Sequence, residues 1–381
     1  MKNKAGILMT PGPTMVPAAV MAAEAQPMIH HRTAEYSEIF SRVCCGLQYV
    51  FQTKEPVLTY PSAGTGAMEA AIANFFSPGD KVLAISIGVF GDRFASIAAA
   101  YGLDVEKLSV PWGQCVDLAA VSSCLELKSY QGVLITHNET STGAMNDIRA
   151  VGELVSRTEA LYVVDAVSSM GALDLQMDNW KIDVVVAASQ KALMTAPGLS
   201  FLAASQKAVA AGKTAKCPRF YWDYQRNLAA FLKEPPQNPY TPAVSLIRGL
   251  DVALQLLKEE GLPQVFQRHQ RLAHATRGAV EALGLKLFAA EAARSDCITS
   301  IAMPEGVDGE KVKKLMGAAG VVAAGGQDSL KGAVVRIGHM GYVDANDILL
   351  AVNALETALN QVGYQVKAGT AVAAAIEYLS R

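Results

Sequence analysis

Two charged residues close the two most apolar stretches of this chain. Residues 161–164 and 184–188 are each too short for an ordinary helix and are rich in valine, which suits a strand buried in a parallel sheet. Asp165 follows the first run and Lys191 comes shortly after the second. An acid and an amine thus fall at the carboxyl ends of two strands, where open α/β sheets place their ligands. An amine held in an apolar pocket loses part of its pKa and becomes a nucleophile toward carbonyls, a cofactor aldehyde among them. Taken alone, Asp165 would serve equally well as a helix cap and Lys191 as a solvated loop residue.

Four more places have chemistry-bearing residues. The turn PSAGTGAME, residues 61–69, opens a stretch of helical length after an apolar run at 57–60. Ala63, Gly64 and Thr65 let a backbone approach an anion, and the amides and dipole of a helix start favour a phosphate, although glycines also simply make turns. The segment has neither the GK[ST] of a nucleotide P-loop nor GxGxxG, which removes the main support for ATP or dinucleotide binding. Phe90, in GVFG after another apolar run, is placed to stack on a flat ring or to fill the core. The run HNETSTG, residues 137–143, is a turn or, if buried, needs polar partners. Arg336, inside the β-branched stretch VVRI, would hold a carboxylate in two hydrogen bonds or make a structural ion pair. His30 and His31 are adjacent with no acidic or cysteine partner at ligand spacing, so they are not read as a metal site.

Alternating strand and helix patterns carry these residues. Strands are expected at 57–60, 82–87, 133–136, 161–164, 184–188 and 199–203, with helical stretches at 66–76, 93–101, 118–127 and 148–158 between them. That alternation predicts a parallel sheet with helices on its faces. Residues 5–17, with Pro11, Pro13 and Pro17, form a rigid extended lead-in that lines a site or crosses the surface. Residues 217–242 change character, aromatics first and prolines after, as a linker with an interface role or a flap. Helical periodicity returns at 245–260 and 263–283, short strands at 298–303 and 334–337 alternate with helices such as 344–362, and 369–379 reads as a closing helix. The reading divides the chain into an extended segment 1–17, a large domain 18–259 and a small domain 260–381.

Bulk properties narrow the function classes. With 381 residues, 51% of them hydrophobic and 18% charged, the chain predicts large cores and a plausible subunit interface. Its 33 basic and 35 acidic residues include no basic tract, so small molecules are expected as partners, with no nucleic acid and no membrane. Six cysteines without CxxC spacing indicate neither zinc nor a disulfide framework, and point to a reducing compartment. With no signal-peptide pattern and no apolar run of membrane-spanning length, a cytoplasmic location is expected.

A phosphate cradle, a stacking aromatic, an acid, an imine-forming lysine and a carboxylate-binding arginine are together what pyridoxal 5′-phosphate chemistry on an amino acid requires. On these residues the chain resembles the class V aminotransferases of fold type I, in the alanine–glyoxylate and serine–pyruvate group. TPGPT, PSAGTGAMEA, VDAVSSMG, the SQKAL box and VVRIGHMG occur in order across roughly residues 6–362. The resemblance implies an α/β fold with a mainly parallel, seven-stranded large-domain sheet and a smaller α+β C-terminal domain. It further implies that Lys191 forms the imine with pyridoxal phosphate and shuttles a proton between the substrate Cα and the cofactor C4′. Asp165 would face the pyridine nitrogen, with Phe90 and Val167 on the two ring faces. Ala63, Gly64, Thr65 and Gln190 would bind the phosphate, and Thr140 would reach the ring oxygen. Arg336 would clamp the substrate carboxylate, assisted by backbone near Gly12. Asn238 and Thr241 would complete the site of the neighbouring subunit in a homodimer.

The expected reaction is a two-step transamination from alanine or serine to glyoxylate or pyruvate. Alternatives are donors such as aspartate, ureidoglycine or an aminophosphonate, a class V lyase such as a cysteine desulfurase, and a catalytically silent subunit of the same fold. The desulfurases usually have a histidine before the lysine and a reactive cysteine in a mobile loop; here Gln190 precedes Lys191 and Cys297 falls in an apparent strand.

Overall fold

The computed structural model describes residues 6–380. Seven strands make the main sheet: β1 (Val57–Tyr60), β2 (Lys81–Ser86), β3 (Asp104–Ser109), β4 (Gly132–Thr136), β5 (Leu161–Asp165), β6 (Val184–Ala188) and β7 (Ser200–Ala204). They lie in the order β1-β7-β6-β5-β4-β2-β3. Neighbours from β6 across to β3 pair in parallel, and β7 runs antiparallel to both β6 and β1. The sheet is therefore the mainly parallel one expected.

The valine-rich runs are explained by packing on both faces. Val133, Ile135, Tyr162 and Val164 belong to one buried cluster, and the alternating Leu134, Leu161 and Val163 belong to the other. A strand sandwiched this way has no polar face, so its sequence reads as continuously apolar. Each fully buried Val or Leu contributes about 1.5–3 kcal/mol relative to exposure.

The helix after β2, Val89–Ala100, packs on one face through Phe94 and Ala98, whereas the helix after β4, Ile148–Val155, packs on the other through Val151 and Val155. The connections leaving these neighbouring strands thus diverge, which opens a crevice beyond their carboxyl ends. Residues 87–90 and 137–141 border it.

A second, antiparallel sheet follows, with β8 (Lys286–Leu287), β9 (Ile298–Ala302), β10 (Ala324–Gly325) and β11 (Val334–Gly338) in the order β8-β9-β11-β10. The helix Leu262–Ala282 starts in the large core with Leu262 and Val265 and continues through Leu272, Ala275 and Ala279 into the core of this second sheet. The N-terminal segment is fastened here as well. Ile7–Leu8 pairs in parallel with Val321–Val322, and the Gly338 amide donates to the Met9 carbonyl at 2.7 Å.

Two elements depart from the expected pattern. β3 (DVEKLS) is a charged edge strand, with Lys107 paired to Asp92 at 2.9 Å and Glu106 to Lys128 at 2.8 Å. Such an edge resists further pairing and for the same reason lacks an apolar signature. The segment 217–242 contains a helix, Tyr224–Phe231, capped by Asp223, whose side chain accepts from the Arg226 amide at 2.8 Å. Among the described residues no helix is long and apolar enough to cross a membrane.

Candidate active site

Asp165 ends β5 and is 3% exposed. One carboxylate oxygen accepts from the Val167 amide at 2.9 Å, the other from the Thr136 hydroxyl at 3.3 Å. Burial pushes the carboxyl up to about 6; the nearby Glu139 charge adds to the rise, while the two hydrogen bonds and Lys191 oppose it.

Lys191 stands in the turn after β6, and its Nζ donates to the Pro11 carbonyl at 2.5 Å. Thr14 clasps the same turn, its amide donating to the Gln190 carbonyl at 3.1 Å and its hydroxyl to the Lys191 carbonyl at 2.9 Å. The N-terminal segment therefore lines the site. Burial lowers the amine to about 8, against the attraction of Asp165 and with help from Arg336 and Arg93. Roughly one-tenth of such an amine is neutral at pH 7.

Gly12 has φ +123°, and a Cβ there would lie 2.4 Å from Lys191 Nζ. Gly12→Ala is expected to displace the amine and lower kcat/KM by about 10²-fold, since displacements near 1 Å have that effect on reacting groups. Steady-state rates of the folded variant provide the check.

The helix Gly64–Phe75 begins after Ala63 with no side-chain cap, so its first amides are available to an anion. At Gly64 a Cβ would meet Val167 Cγ2 at 2.8 Å. Thr65 Oγ1 accepts from Arg93 Nη1 at 3.2 Å and keeps its own proton to donate. Gln190 contributes a buried Oε1 without a protein partner, beside Lys191. Phe90 lies in the first turn of Val89–Ala100, with the Arg93 guanidinium 4.6 Å from its ring centre. Free amides and a hydroxyl donor at one end, with an acid and an amine at the others, suit a phosphorylated pyridine aldehyde.

Arg336, in β11, is 7% exposed. It donates to the carbonyls of Gly325 (2.8 Å) and Thr140 (2.6 Å) and to Gln327 Oε1 at 3.2 Å, with no carboxylate among these partners. A buried guanidinium held this way is a fixed cation with capacity for an anion, not half of a structural ion pair. Burial pushes it down to about 10, with Glu139 opposing, so it is charged at neutral pH. Thr140 enters the site through its carbonyl.

The remaining predicted residues lie apart. The Asn238 side chain accepts from the Tyr36 hydroxyl at 2.6 Å, and its carbonyl accepts from Arg32 at 3.0 Å. Thr241 lines a surface cavity with Met28, His30 and His31. Among the described residues no hydrogen bond joins Asn238 or Thr241 to Lys191, Asp165 or Arg336, and no group of three or more His, Cys, Asp or Glu side chains is disposed to hold a metal ion. Sequence reasoning did not single out Pro11, Arg93 or Glu139. For Arg93 a signal existed, because it lies three residues after Phe90 and so on the same helix face.

The family profile described as Aminotransferase class-V matches residues 8–350. The "Soluble hydrogenase, small subunit" of Synechococcus sp. is 45% identical over 100% of both chains. The serine–glyoxylate aminotransferase of Hyphomicrobium methylovorum is 38% identical, covering 98% of this chain and 94% of its own. Among solved structures, the alanine–glyoxylate aminotransferase of Nostoc sp. superposes with a TM-score of 0.90 at 32% identity, over 94% of this chain and 96% of its own.

Proposed function

The chain belongs to the class V aminotransferase family, which is pyridoxal-phosphate dependent, and from that premise we propose that it moves an amino group from alanine or serine to glyoxylate or pyruvate. The reading is carried by the convergence of Asp165 and Arg336 on Lys191, whose amine feels the charge of both. It is supported by relatives named for serine–glyoxylate and alanine–glyoxylate transfer.

When bound, the cofactor supplies a carbonyl that condenses with amines and a ring that takes up the electrons left at a deprotonated Cα. In this reading Ala63, Gly64, Thr65 and Gln190 hold its phosphate, Phe90 and Val167 its ring faces, and Thr140 its ring oxygen. Asp165, ionised at pH 7, holds a proton on the pyridine nitrogen. Arg336 orients the substrate by its carboxylate beside the Gly12 backbone. Lys191 Nζ takes the proton from the substrate Cα. Two copies of the chain share their sites in a homodimer, Asn238 and Thr241 of each completing the other. The large hydrophobics Met28 and Phe220, 70% and 76% exposed, are in keeping with such an interface. The lyase alternative loses support because Cys297 is fully buried, just before β9, and burial holds its thiol well above the usual range.

The test is to follow the visible absorption of the cofactor-loaded protein across a panel of amino acids, then its return across a panel of keto acids. Loss with alanine or serine and return with glyoxylate or pyruvate is expected; loss with aspartate or ureidoglycine alone would reassign the donor. Arg336→Ala is expected to raise KM for the amino donor about 10- to 100-fold, the effect of losing charge-assisted bonds worth roughly 1.5–3 kcal/mol. Unchanged KM in initial-rate measurements would place the carboxylate clamp elsewhere.

A further inference from the structure

Glu139 is fully buried, directly after β4, and takes no part in the chemistry proposed above. Its four hydrogen-bond partners are three amides and a hydroxyl. One carboxylate oxygen accepts from the amides of Phe90 at 3.0 Å and Gly91 at 3.1 Å, the other from the amide and hydroxyl of Ser141 at 3.1 and 2.6 Å. The Ser141 hydroxyl in turn accepts from the Val89 amide at 3.1 Å.

Amides 89, 90 and 91 are the first three of the helix Val89–Ala100, and they would otherwise have no acceptor. Gly88, at the cap position, supplies no side chain for them. The cap comes instead from the far side of the crevice between β2 and β4. A Cβ on Gly88 would lie 2.5 Å from both Glu139 Cγ and Ser141 Oγ, so glycine at 88 is what admits the carboxylate. A helix start also favours a negative charge through its dipole.

The same loop reaches the other functional groups. The next residue, Thr140, gives its carbonyl to Arg336 at 2.6 Å, and the His137 amide donates to the Asp165 carbonyl at 2.9 Å. Burial raises the Glu139 carboxyl, and the bonds from Ser141, Gly91 and Phe90 work against that rise. Its charge also opposes the desolvation that weakens the Arg336 cation.

We infer that Glu139 is a positioning residue of this site: its carboxylate fixes the backbone that carries Phe90, and its loop and charge fix and sustain Arg336. The inference rests on the roles proposed above for Phe90 and Arg336. Glutamine at 139 keeps the volume but loses the charge, and turns an amide donor toward a donor among the present partners.

Glu139→Gln is read in two ways. In the cofactor-free protein, hydrogen exchange at Phe90 and Gly91 or at Ser141 is expected to quicken by about tenfold, the effect of one lost hydrogen bond. In the loaded protein, KM for the amino donor should rise about tenfold, with a smaller change in kcat. Exchange and KM both at parent values would overturn the inference. If Glu139→Gln does not fold, Ser141→Ala, which breaks the link to Val89, should quicken exchange at Val89 and raise KM, and parent values there would overturn it equally. Because exchange is measured without cofactor, a parent protein that never binds cofactor would sink the transamination reading and leave the exchange result standing.

Discussion

Lys191→Ala is expected to lower transamination by at least about 10⁴-fold and to leave no cofactor covalently attached after borohydride reduction, as read by intact-protein mass spectrometry. The loss combines two roles of one atom. In the proposed reading Nζ would join the cofactor and would also be the base at the substrate Cα, where loss of general base catalysis alone removes about 10²–10⁴ in rate. Arg336, whose charge acts on this amine, is pushed down only to about 10, so it stays protonated and cannot act as a base near neutral pH. The fold should tolerate the change, because burial already disfavours the Lys191 cation, as its lowering to about 8 records. The hydrogen bond given up is to the Pro11 carbonyl in the N-terminal segment, which Ile7–Leu8 and Thr14 hold independently. A folded variant that turns over at the parent rate would remove Lys191 from the chemistry.

Asp165 and Lys191 were legible in the sequence because a buried parallel strand has apolar residues on both faces, and the first charges after it mark its carboxyl end. Val163 and Val164 serve opposite cores, so the run before Asp165 has no polar break. Gly64 was legible too, as a glycine at a helix start. β3 was not, because an exposed edge strand needs charges where a central one needs valine. Glu139 was visible only as a member of a polar run. Its partners Phe90 and Gly91 stand 49 and 48 residues away, and the pairing exists only once β2 and β4 lie side by side. The partners of Arg336 were hidden for a related reason: backbone carbonyls have no residue-type signature, so its bond to Thr140, 196 residues away, leaves no trace in composition or spacing. The helix Tyr224–Phe231 was obscured by the prolines that follow it, although Asp223 is an ordinary cap.

Asp165→Asn should produce the second largest loss, about 10²–10³-fold in kcat, and at the same time a cofactor-free protein more stable than the parent at pH 7. Asparagine preserves the local bonds: its oxygen accepts from Val167 and its amide donates to the Thr136 hydroxyl, the present partners of the carboxylate. In the proposed reading it removes the charge that would hold a proton on the pyridine nitrogen, so the ring would accept electrons less readily when Cα is deprotonated. The stability change has a definite sign. The carboxyl titrates at about 6 in the folded chain, above its usual 3.8, so the folded protein holds the proton more tightly and keeping Asp165 ionised destabilises it at pH 7. At about 1.4 kcal/mol per pH unit, a neutral residue there gains up to about 3 kcal/mol at pH 7. That gain should fade as pH falls through 6 toward 4, where the parent carboxyl takes up its own proton. The low kcat of the loaded variant should persist across the same range, because its deficit lies in the missing charge and not in the fold. Thermal unfolding and kcat measured across this range separate the two roles, since a site acid sacrifices stability for activity. Loss of stability together with activity would instead mark Asp165 as a structural support.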